Sequence, residues 1–263
     1  MTRHYYYLLL LIFCVISCSP EDTTPGINID ISDELQVELW EILDESQRML
    51  ELRVTTIETL DCENYSISYN LSQPGISTTV SINNILPPHE CIPGTAPASN
   101  QINLGHFQDG EYPIQVNLKN NEITNLGRLI VKPRYYQLEM ETNHGIFIPW
   151  NILKTVPENL VWGYLTIEDA NSEDQNVILE TFNNRIAPWT EVISLSQGEY
   201  GYFKIENGIP SAITDQRETI TENLFLLEQT GTQTELKDAL NDMRIEFGNQ
   251  VSVNVFLSDG SSL

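Results

Sequence analysis

Residues 112–118 have the sequence Tyr-Pro-Ile-Gln-Val-Asn-Leu, in which apolar and polar side chains alternate. A period of two places successive side chains on opposite faces of an extended strand, so this stretch predicts a β-strand with one buried face. The same alternation recurs on both sides of it along the chain. The other segments that show it are residues 65–71, 78–82, 129–131 and 137–140.

Turn residues separate these predicted strands, among them Asp109-Gly110 and Asn120-Asn121. Short strands joined by such turns are typical of an antiparallel β-sandwich, in which each strand turns one face inward. We therefore predict a β-sandwich-like domain. With the helix predicted in front of the strands, this domain comprises residues 32–148.

The residues that precede the strands, about 33–50, show a different period. Leu35, Leu39 and Ile42 recur near helical spacing, and acidic residues fill many of the positions between them. Ser32 is placed to cap the helix, and acidic side chains in the first turn favour the positive end of the helix dipole. This pattern predicts an N-terminal amphipathic helix that packs against its own domain.

Beyond residue 148, strand-like and helix-like patterns alternate. The predicted strands are residues 160–167, 191–195, 201–205, 223–228 and 251–257, and the predicted helices begin at capping boxes formed by Ser172 with Gln175 and by Thr232 with Glu235. The resulting order, β-α-β-(β)-β-α-β, matches the split βαβ or ferredoxin-like plan with an extra strand or a long hairpin in its middle. We therefore predict a ferredoxin-like domain at residues 149–263 and an α+β fold class for the whole chain.

The first residues of the chain have the pattern of an export signal. Arg3 is the only Lys or Arg in residues 1–17, and the run from Tyr5 to Ser17 carries no charge. This run is shorter than the roughly 20 apolar residues that a transmembrane helix requires. We therefore predict that residues 1–17 are a cleaved signal peptide and not a membrane span.

Residues 15–18, Val-Ile-Ser-Cys, resemble the bacterial lipobox, with an aliphatic residue at minus three, a small residue at minus one and the cysteine that becomes acylated. Cys14 is the competing position, but Phe13 before it is too bulky for the small-residue site that signal peptidases favour. The resemblance implies diacylglycerol on the Cys18 thiol and, in a Gram-negative cell, a third acyl chain on its amine. Two or three chains hold a protein firmly on a membrane, because each buried methylene contributes about 0.8 kcal/mol.

Residues 18–31 contain prolines, a glycine and scattered acids without periodicity, which predicts an extended tether between the lipid and the fold. Glu21 and Asp22 resemble the acidic surface-export signals of Bacteroidota lipoproteins, and they fit equally well as the first residues of an acidic tether. The resemblance implies a lipid-anchored protein of the cell envelope, in the outer membrane and facing either the periplasm or the outside.

The charge of the chain restricts its partners. It carries 13 Lys and Arg against 37 Asp and Glu, a net charge of −24 at pH 7, which becomes −25 once Arg3 is removed with the signal peptide. Nucleic acid and anionic head groups are poor partners for such a surface, because proteins recognise polyanions with Lys and Arg. The charge either attracts a cation or a basic protein partner, or it only keeps the protein soluble.

Cys62 and Cys91 are the only cysteines after Cys18. Exported proteins occupy oxidising compartments, so this pair predicts one disulfide bond. The segment at residues 87–100 is rich in proline and small side chains, which predicts a loop that the disulfide would hold in place.

Two metal sites can be drawn on the sequence, and each has a simpler explanation. His89, Glu90 and Cys91 with Cys62 contain zinc-ligand types, but adjacent residues usually point apart and a disulfide accounts for both cysteines. A calcium-loop template is matched in part by Asp169, Asn171, Glu173 and Glu180, but Asp174 stands where that loop needs glycine, and helix capping explains the acids better. We therefore predict no metal and no cofactor.

No catalytic constellation stands out in the chain. The histidines after Cys18 are His89, His106 and His144, and none has compact ligand spacing or a neighbouring nucleophile motif. The four tryptophans could form a glycan platform if they clustered outside, but their apolar neighbours favour core packing. These tryptophans are Trp40, Trp150, Trp162 and Trp189.

Three functions remain as hypotheses. The leading one is a non-enzymatic lipoprotein that acts as a binding or assembly module at the bacterial cell envelope. The second is a protease inhibitor or chaperone-like module, by analogy with small ferredoxin-like modules and disulfide-held loops. The third is a hydrolase that uses paired carboxylates, although 37 acidic residues will form pairs by chance.

Overall fold

β-Strands make up most of the described chain, which comprises residues 34–168, 171–213, 219–220 and 223–263 of a computed structural model. The strands are β1 (Leu35–Ile42), β2 (Met49–Cys62), β3 (Ser66–Ser72), β4 (Thr78–Leu86), β5 (Pro93–Gly105), β6 (Gly110–Leu118), β7 (Ile123–Lys132), β8 (Tyr135–Met140), β9 (Ile146–Phe147), β10 (Ile152–Lys154), β11 (Leu160–Ile167), β12 (Thr190–Val192), β13 (Gly198–Glu199), β14 (Phe203–Glu206), β15 (Ile209–Ile213), β16 (Thr219–Ile220), β17 (Leu224–Gln229) and β18 (Val251–Leu257). The helices are α1 (Ser172–Ile186) and α2 (Gln233–Phe247). This content confirms the α+β class, whereas the predicted signal peptide, Cys18 and the tether lie outside the described residues.

Fourteen of the described strands form one sheet, in the order β16-β15-β14-β13-β10-β8-β7-β6-β4-β3-β5-β2-β1-β9. The alternation seen in the sequence decides which face of each strand is buried: in β7 every second residue from Ile123 to Val131 is inside. Aliphatic side chains of β1 to β10 meet in one core. The five strands predicted from alternation are confirmed as β3, β4, β6, β7 and β8.

The predicted N-terminal helix is wrong, because Leu35–Ile42 is strand β1. It pairs antiparallel with β2, from Leu35 opposite Thr56 to Ile42 opposite Met49. Two of the acids that resembled the solvent face of a helix are buried, with Glu38 only 3% and Glu41 0% exposed, whereas Glu34, Asp44 and Glu45 are exposed. A strand covered on both faces has no simple alternation, and its pairing partner lies too far along the chain to be read locally.

The loop predicted at residues 87–100 is shorter than expected, because β5 already begins at Pro93. This strand pairs with β2 through several register shifts, which accommodate prolines that a regular ladder would exclude. Backbone pairing with β2 thus overrides a composition that is typical of loops.

A second sheet has the strand order β12-β17-β11-β18, and all of its neighbouring strands are antiparallel. Both helices cover one face of it, where Phe182 of α1 and Leu240 of α2 pack with Val253 of β18. Along the chain the order is β11-α1-β12-β17-α2-β18, interrupted after β12 by β13 to β16. These four inserted strands join the large sheet, which therefore contains segments from both sides of the domain boundary predicted at residue 148.

Local side-chain hydrogen bonds cap the N-termini of both helices. Asn171, not the predicted Ser172, caps α1, and its side chain accepts hydrogen bonds from the backbone amides of Glu173 and Asp174. The predicted capping box of Thr232 and Glu235 is confirmed at the start of α2. Among the described residues, neither helix is long and apolar enough to cross a membrane.

The inserted strands cover the face of the small sheet that the helices leave open. Trp162 of β11 packs there with Phe203 and Ile205 of β14, and Leu43, just beyond β1, joins the same cluster. By their contacts residues 32–263 form one compact unit. The junction between insertion and small sheet contains the cleft described next.

Candidate ligand-binding cleft

A cleft of about 280 Å³ opens between β11 and β18 of the small sheet and the inserted strand β15. Four aromatic residues line it together with small and aliphatic side chains. The aromatic residues are Trp162, Tyr164, Tyr202 and Phe256. We refer to this cavity as the aromatic cleft.

The sheet register places three of these rings side by side. Trp162 and Tyr164 are two residues apart in β11 and so share one face. Phe256 lies opposite Trp162 in β18, and the two ring centroids are 5.9 Å apart with nearly parallel planes, while the Phe256 and Tyr164 centroids are 6.5 Å apart. Gly163 lets the strands approach, because a Cβ there would lie 2.0 Å from the Asn254 carbonyl oxygen.

Tyr202 closes the cleft from the inserted segment. Its ring centroid lies 5.6 Å from that of Trp162, and its hydroxyl donates a 2.9 Å hydrogen bond to the backbone oxygen of Glu41. Burial raises the pKa of the Tyr202 hydroxyl above its ordinary value. The Tyr202 ring is therefore held between the inserted segment and β1, and the Tyr202 hydroxyl keeps its proton at neutral pH.

A buried polar network lies next to this contact. Glu41 Oε1 accepts a 2.7 Å hydrogen bond from the Tyr136 hydroxyl and lies 3.2 Å from Arg48 Nη1, and its Oε2 accepts a 2.9 Å bond from the Val156 amide. Arg48 also donates to the Val156 carbonyl oxygen. Burial, and then the neighbouring Glu41 charge, raise the pKa of Tyr136. The network ties β1 to β8 and to Val156, which lies just beyond β10.

The cleft has the chemistry of a binding site more than of an acid–base centre. Among the residues that the structure describes, the lining includes no carboxylate, histidine or cysteine, and its side-chain hydroxyls come from Tyr164, Tyr202 and Ser261. Ser261 already donates its hydroxyl proton to Asp259 Oδ1 at 2.6 Å. The described lining is thus rich in aromatic side chains and offers few free hydrogen-bond donors.

A second polar site centres on Glu199 of β13, which interacts with Lys204 of β14 and with Glu38 of β1. Glu199 Oε2 is buried without a hydrogen-bond partner, and burial raises the pKa of Glu199 above its ordinary value of 4.5. Lys204, opposite Glu199 in β14, opposes this rise, whereas the charges of Glu206 and Glu38 add to it. Burial outweighs the attraction of Lys204, so the ionised form of Glu199 is disfavoured in the folded protein.

Replacing Glu199 by glutamine should therefore raise the melting temperature near neutral pH. The folded state holds the Glu199 proton more tightly than the unfolded state does, so the stability contributed by this residue falls as the pH rises from about 4.5 through the raised pKa. Thermal melts at a series of pH values should show E199Q above the wild type at about pH 8, with the difference shrinking on acidification. E122Q, at an exposed acid in the turn between β6 and β7, is the matched control and should melt like the wild type. An E199Q melting temperature below that of the wild type at about pH 8 would contradict the prediction.

Cys62 and Cys91 form the predicted disulfide, with an S–S distance of 2.02 Å and a Cα–Cα distance of 5.4 Å. The side chain of Asn64 adds two hydrogen bonds inside the same loop, to the Glu90 carbonyl oxygen and from the Ile92 amide. The loop is therefore closed by one covalent bond and by local hydrogen bonds. Cys18, the predicted lipidation site, lies outside the described residues.

The described residues of the two metal templates have other contacts in the structure. Cys91 is consumed by the disulfide, and within the described ranges no group of three or more His, Cys, Asp and Glu could hold a metal ion. Asn171 caps α1, while Asp169 of the calcium template is not among the described residues. His106 Nδ1 lies 2.9 Å from the Arg48 carbonyl oxygen, and no histidine lines the aromatic cleft.

The tryptophans are divided between the core and its margins. Trp40 and Trp162 are buried, as predicted, while Trp150 and Trp189 are half-buried. The cleft itself was missed from the sequence, since it needs β18 and the insertion to meet β11. Its one local signal is the alternation of Trp162 and Tyr164 on a strand whose other face is apolar.

Comparison with family models, with curated proteins and with solved structures finds no match for this chain.

Proposed function

We propose that the protein is a non-enzymatic binding module, held at the bacterial cell envelope by lipid on Cys18, and that the aromatic cleft is its ligand site. The observation that carries the binding role is the cleft lining, whose described residues include four aromatic side chains and no carboxylate, histidine or cysteine. Apolar walls with few polar groups are typical of sites that bind small molecules.

The rings that form the site are held by the protein before any ligand arrives. Tyr202 is fixed by its hydrogen bond to the Glu41 backbone, and Trp162 is only 3% exposed and packed on Phe203. A site that needs no reordering loses less conformational entropy on binding. This preorganisation supports a recognition role.

The fold proposed for this module has two parts. The strands of residues 34–148 would form a β-sandwich-like unit, an interpretation supported by the single core that β1 to β9 share. Residues 160–257 without the insertion would form a ferredoxin-like unit, supported by the antiparallel order β12-β17-β11-β18 and by two helices on one face.

The anchor is tested by metabolic labelling. Cells that express the full chain should incorporate radiolabelled palmitate into it, and C18A should abolish the label, because the Cys18 thiol is the acylated atom in the lipobox resemblance. C14A is the matched control and should label like the wild type. An unlabelled wild type, or label that survives in C18A, would overturn the anchor; protease treatment of intact cells then separates outward from periplasmic display.

Inhibition of a protease is a second candidate, and the loop closed by Cys62 and Cys91 favours it. Ile92 in that loop is 52% exposed beside the disulfide, so an apolar side chain projects from a covalently closed segment. A panel of proteases mixed with the purified chain would show stoichiometric inhibition, lost in I92D, if the loop acts in this way. Activity of every protease unaffected by the chain would remove this candidate.

A further inference from the structure

We infer that the aromatic cleft binds a small quaternary ammonium compound, the cationic head of which lies against the rings; this inference rests on the proposed binding role of the same site. Aromatic faces carry negative electrostatic potential and attract organic cations, most strongly where water is excluded. Trp162, Tyr164, Tyr202 and Phe256 all line this one cavity. Its volume, about 280 Å³, lies near the small end of the range for ligand pockets and suits a small head group.

The turns at the margin of the cleft carry negative charge, which favours the binding of a cation. Leu43 and Gly260 both line the cleft, and they touch, since a Cβ on Gly260 would lie 2.3 Å from the Leu43 carbonyl oxygen. Asp44 follows Leu43 and Asp259 precedes Gly260, so two carboxylates stand where these turns meet. The described part of the lining contains no Lys or Arg.

Both carboxylates are held by a serine two residues further along. Asp44 Oδ1 accepts a 2.8 Å hydrogen bond from the Ser46 amide and another from its hydroxyl. Asp259 Oδ1 accepts bonds of 2.8 and 2.6 Å from the amide and the hydroxyl of Ser261. These bonds hold the carboxylates on turns that adjoin lining residues, and Asp259 Oδ2 also accepts a 2.5 Å hydrogen bond from Gln233 Nε2 of α2. The net charge of −24 adds long-range attraction for cations.

The lining distinguishes a quaternary ammonium from other small ligands. A primary ammonium has three N–H groups that need acceptors, and no carboxylate is among the described lining residues, whereas a quaternary ammonium has no N–H to satisfy. A sugar would need several free donors, but two of the three lining hydroxyls, those of Tyr202 and Ser261, already donate their protons to Glu41 and Asp259, which leaves only that of Tyr164 among the described residues. An anion would be repelled by the acidic margin.

Calorimetric titration of the purified full-length chain with choline is the test. Choline should bind, and dimethylbutanol, its neutral carbon isostere, should bind about tenfold more weakly or not at all, because it keeps the shape and loses the charge. Ethanolamine, the primary ammonium analogue, should also be weaker, and high salt should reduce choline affinity by screening the aspartates. Phosphocholine should bind less well than choline if the ligand is a free solute, since its phosphate would lie near Asp44 and Asp259.

Two variants connect binding to the cleft. F256L removes one ring face while nearly conserving volume and should weaken choline about fivefold or more. F147L removes a similarly exposed phenylalanine from β9, outside the cleft, and should leave choline affinity unchanged. Thermal melts of both variants check that the fold is intact.

The outcomes separate this inference from the proposed function. Equal affinity for choline and dimethylbutanol would overturn cation recognition while leaving a binding cleft. Tighter binding of phosphocholine than of choline would overturn the free solute and indicate a lipid head group. Absence of binding by all four probes, or equal choline affinity in F256L and the wild type, would overturn the inference outright.

Discussion

Replacing Glu41 by alanine is expected to lower the free energy of unfolding by about 3 to 5 kcal/mol, because the variant leaves a partly buried cation and two buried donors without their acceptor. The carboxylate of Glu41 is 0% exposed and serves the Tyr136 hydroxyl, the Arg48 guanidinium and the Val156 amide at once. Urea denaturation followed by circular dichroism measures the change. The amide of E41Q keeps the volume and one acceptor, so this variant should lose less stability than E41A.

Glu139, an exposed acid of β8, supplies the matched control. Its Oε2 atom lies 2.6 Å from Arg128 Nη2, but the Glu139 side chain is 44% exposed and the Arg128 side chain is 51% exposed. Exposed ion pairs contribute about 0 to 1 kcal/mol, so E139A should lower the free energy of unfolding by no more than about 1 kcal/mol. Equal losses in E41A and E139A would show that the Glu41 network does not hold β1 against β8.

The second large effect concerns the disulfide. Converting both Cys62 and Cys91 to serine is expected to lower the free energy of unfolding by about 3.6 kcal/mol, the chain-entropy value for a separation of 29 residues. The physical reason is that the unfolded chain gains freedom that the bridge denies it, while β2 and β5 still pair in the folded state. Urea denaturation of the double variant measures the loss.

Reduction of the wild type provides an internal control for this value. Treated with a thiol reductant, the wild type should unfold at the urea concentration of the double serine variant, and that variant should not respond to the reductant. A double variant as stable as the oxidised wild type would show that native contacts, such as those of Asn64, already restrict the loop without the bridge.

The two mispredicted segments show where local patterns lose their meaning. The spacing of apolar and acidic residues predicts a helix at about residues 33–50 with its acids facing water, yet residues 35–42 form a strand in which Glu38 and Glu41 are buried. Pro93 to Asn100 was predicted as a loop, yet β2 supplies a pairing partner through register shifts. In both cases a neighbouring strand changes what the residue types imply.

Of the candidate functional features, the disulfide could be predicted from the sequence and the aromatic cleft could not. The disulfide was predictable from cysteine number and the export signal, since few alternatives existed. The aromatic cleft was not, because Trp162 and Tyr164 come from β11, Phe256 from β18 and Tyr202 from an insertion that belongs to the other sheet. The fixing of Tyr202 by the Glu41 backbone joins residues 161 positions apart, which no short motif records.

The sequence by itself determined the elements whose stabilising interactions are local or strictly periodic. Strands β11 and β18 were predicted with the bounds that the structure has, and helix α2 with its capping box, because alternation and capping need only a few neighbouring residues. Tertiary structure alone decided that residues 35–42 are a strand, that the insertion after β12 joins the large sheet, and that four aromatic rings meet in one cleft. Those outcomes depend on burial and pairing between distant segments, and their free energy arises only when the segments are packed together.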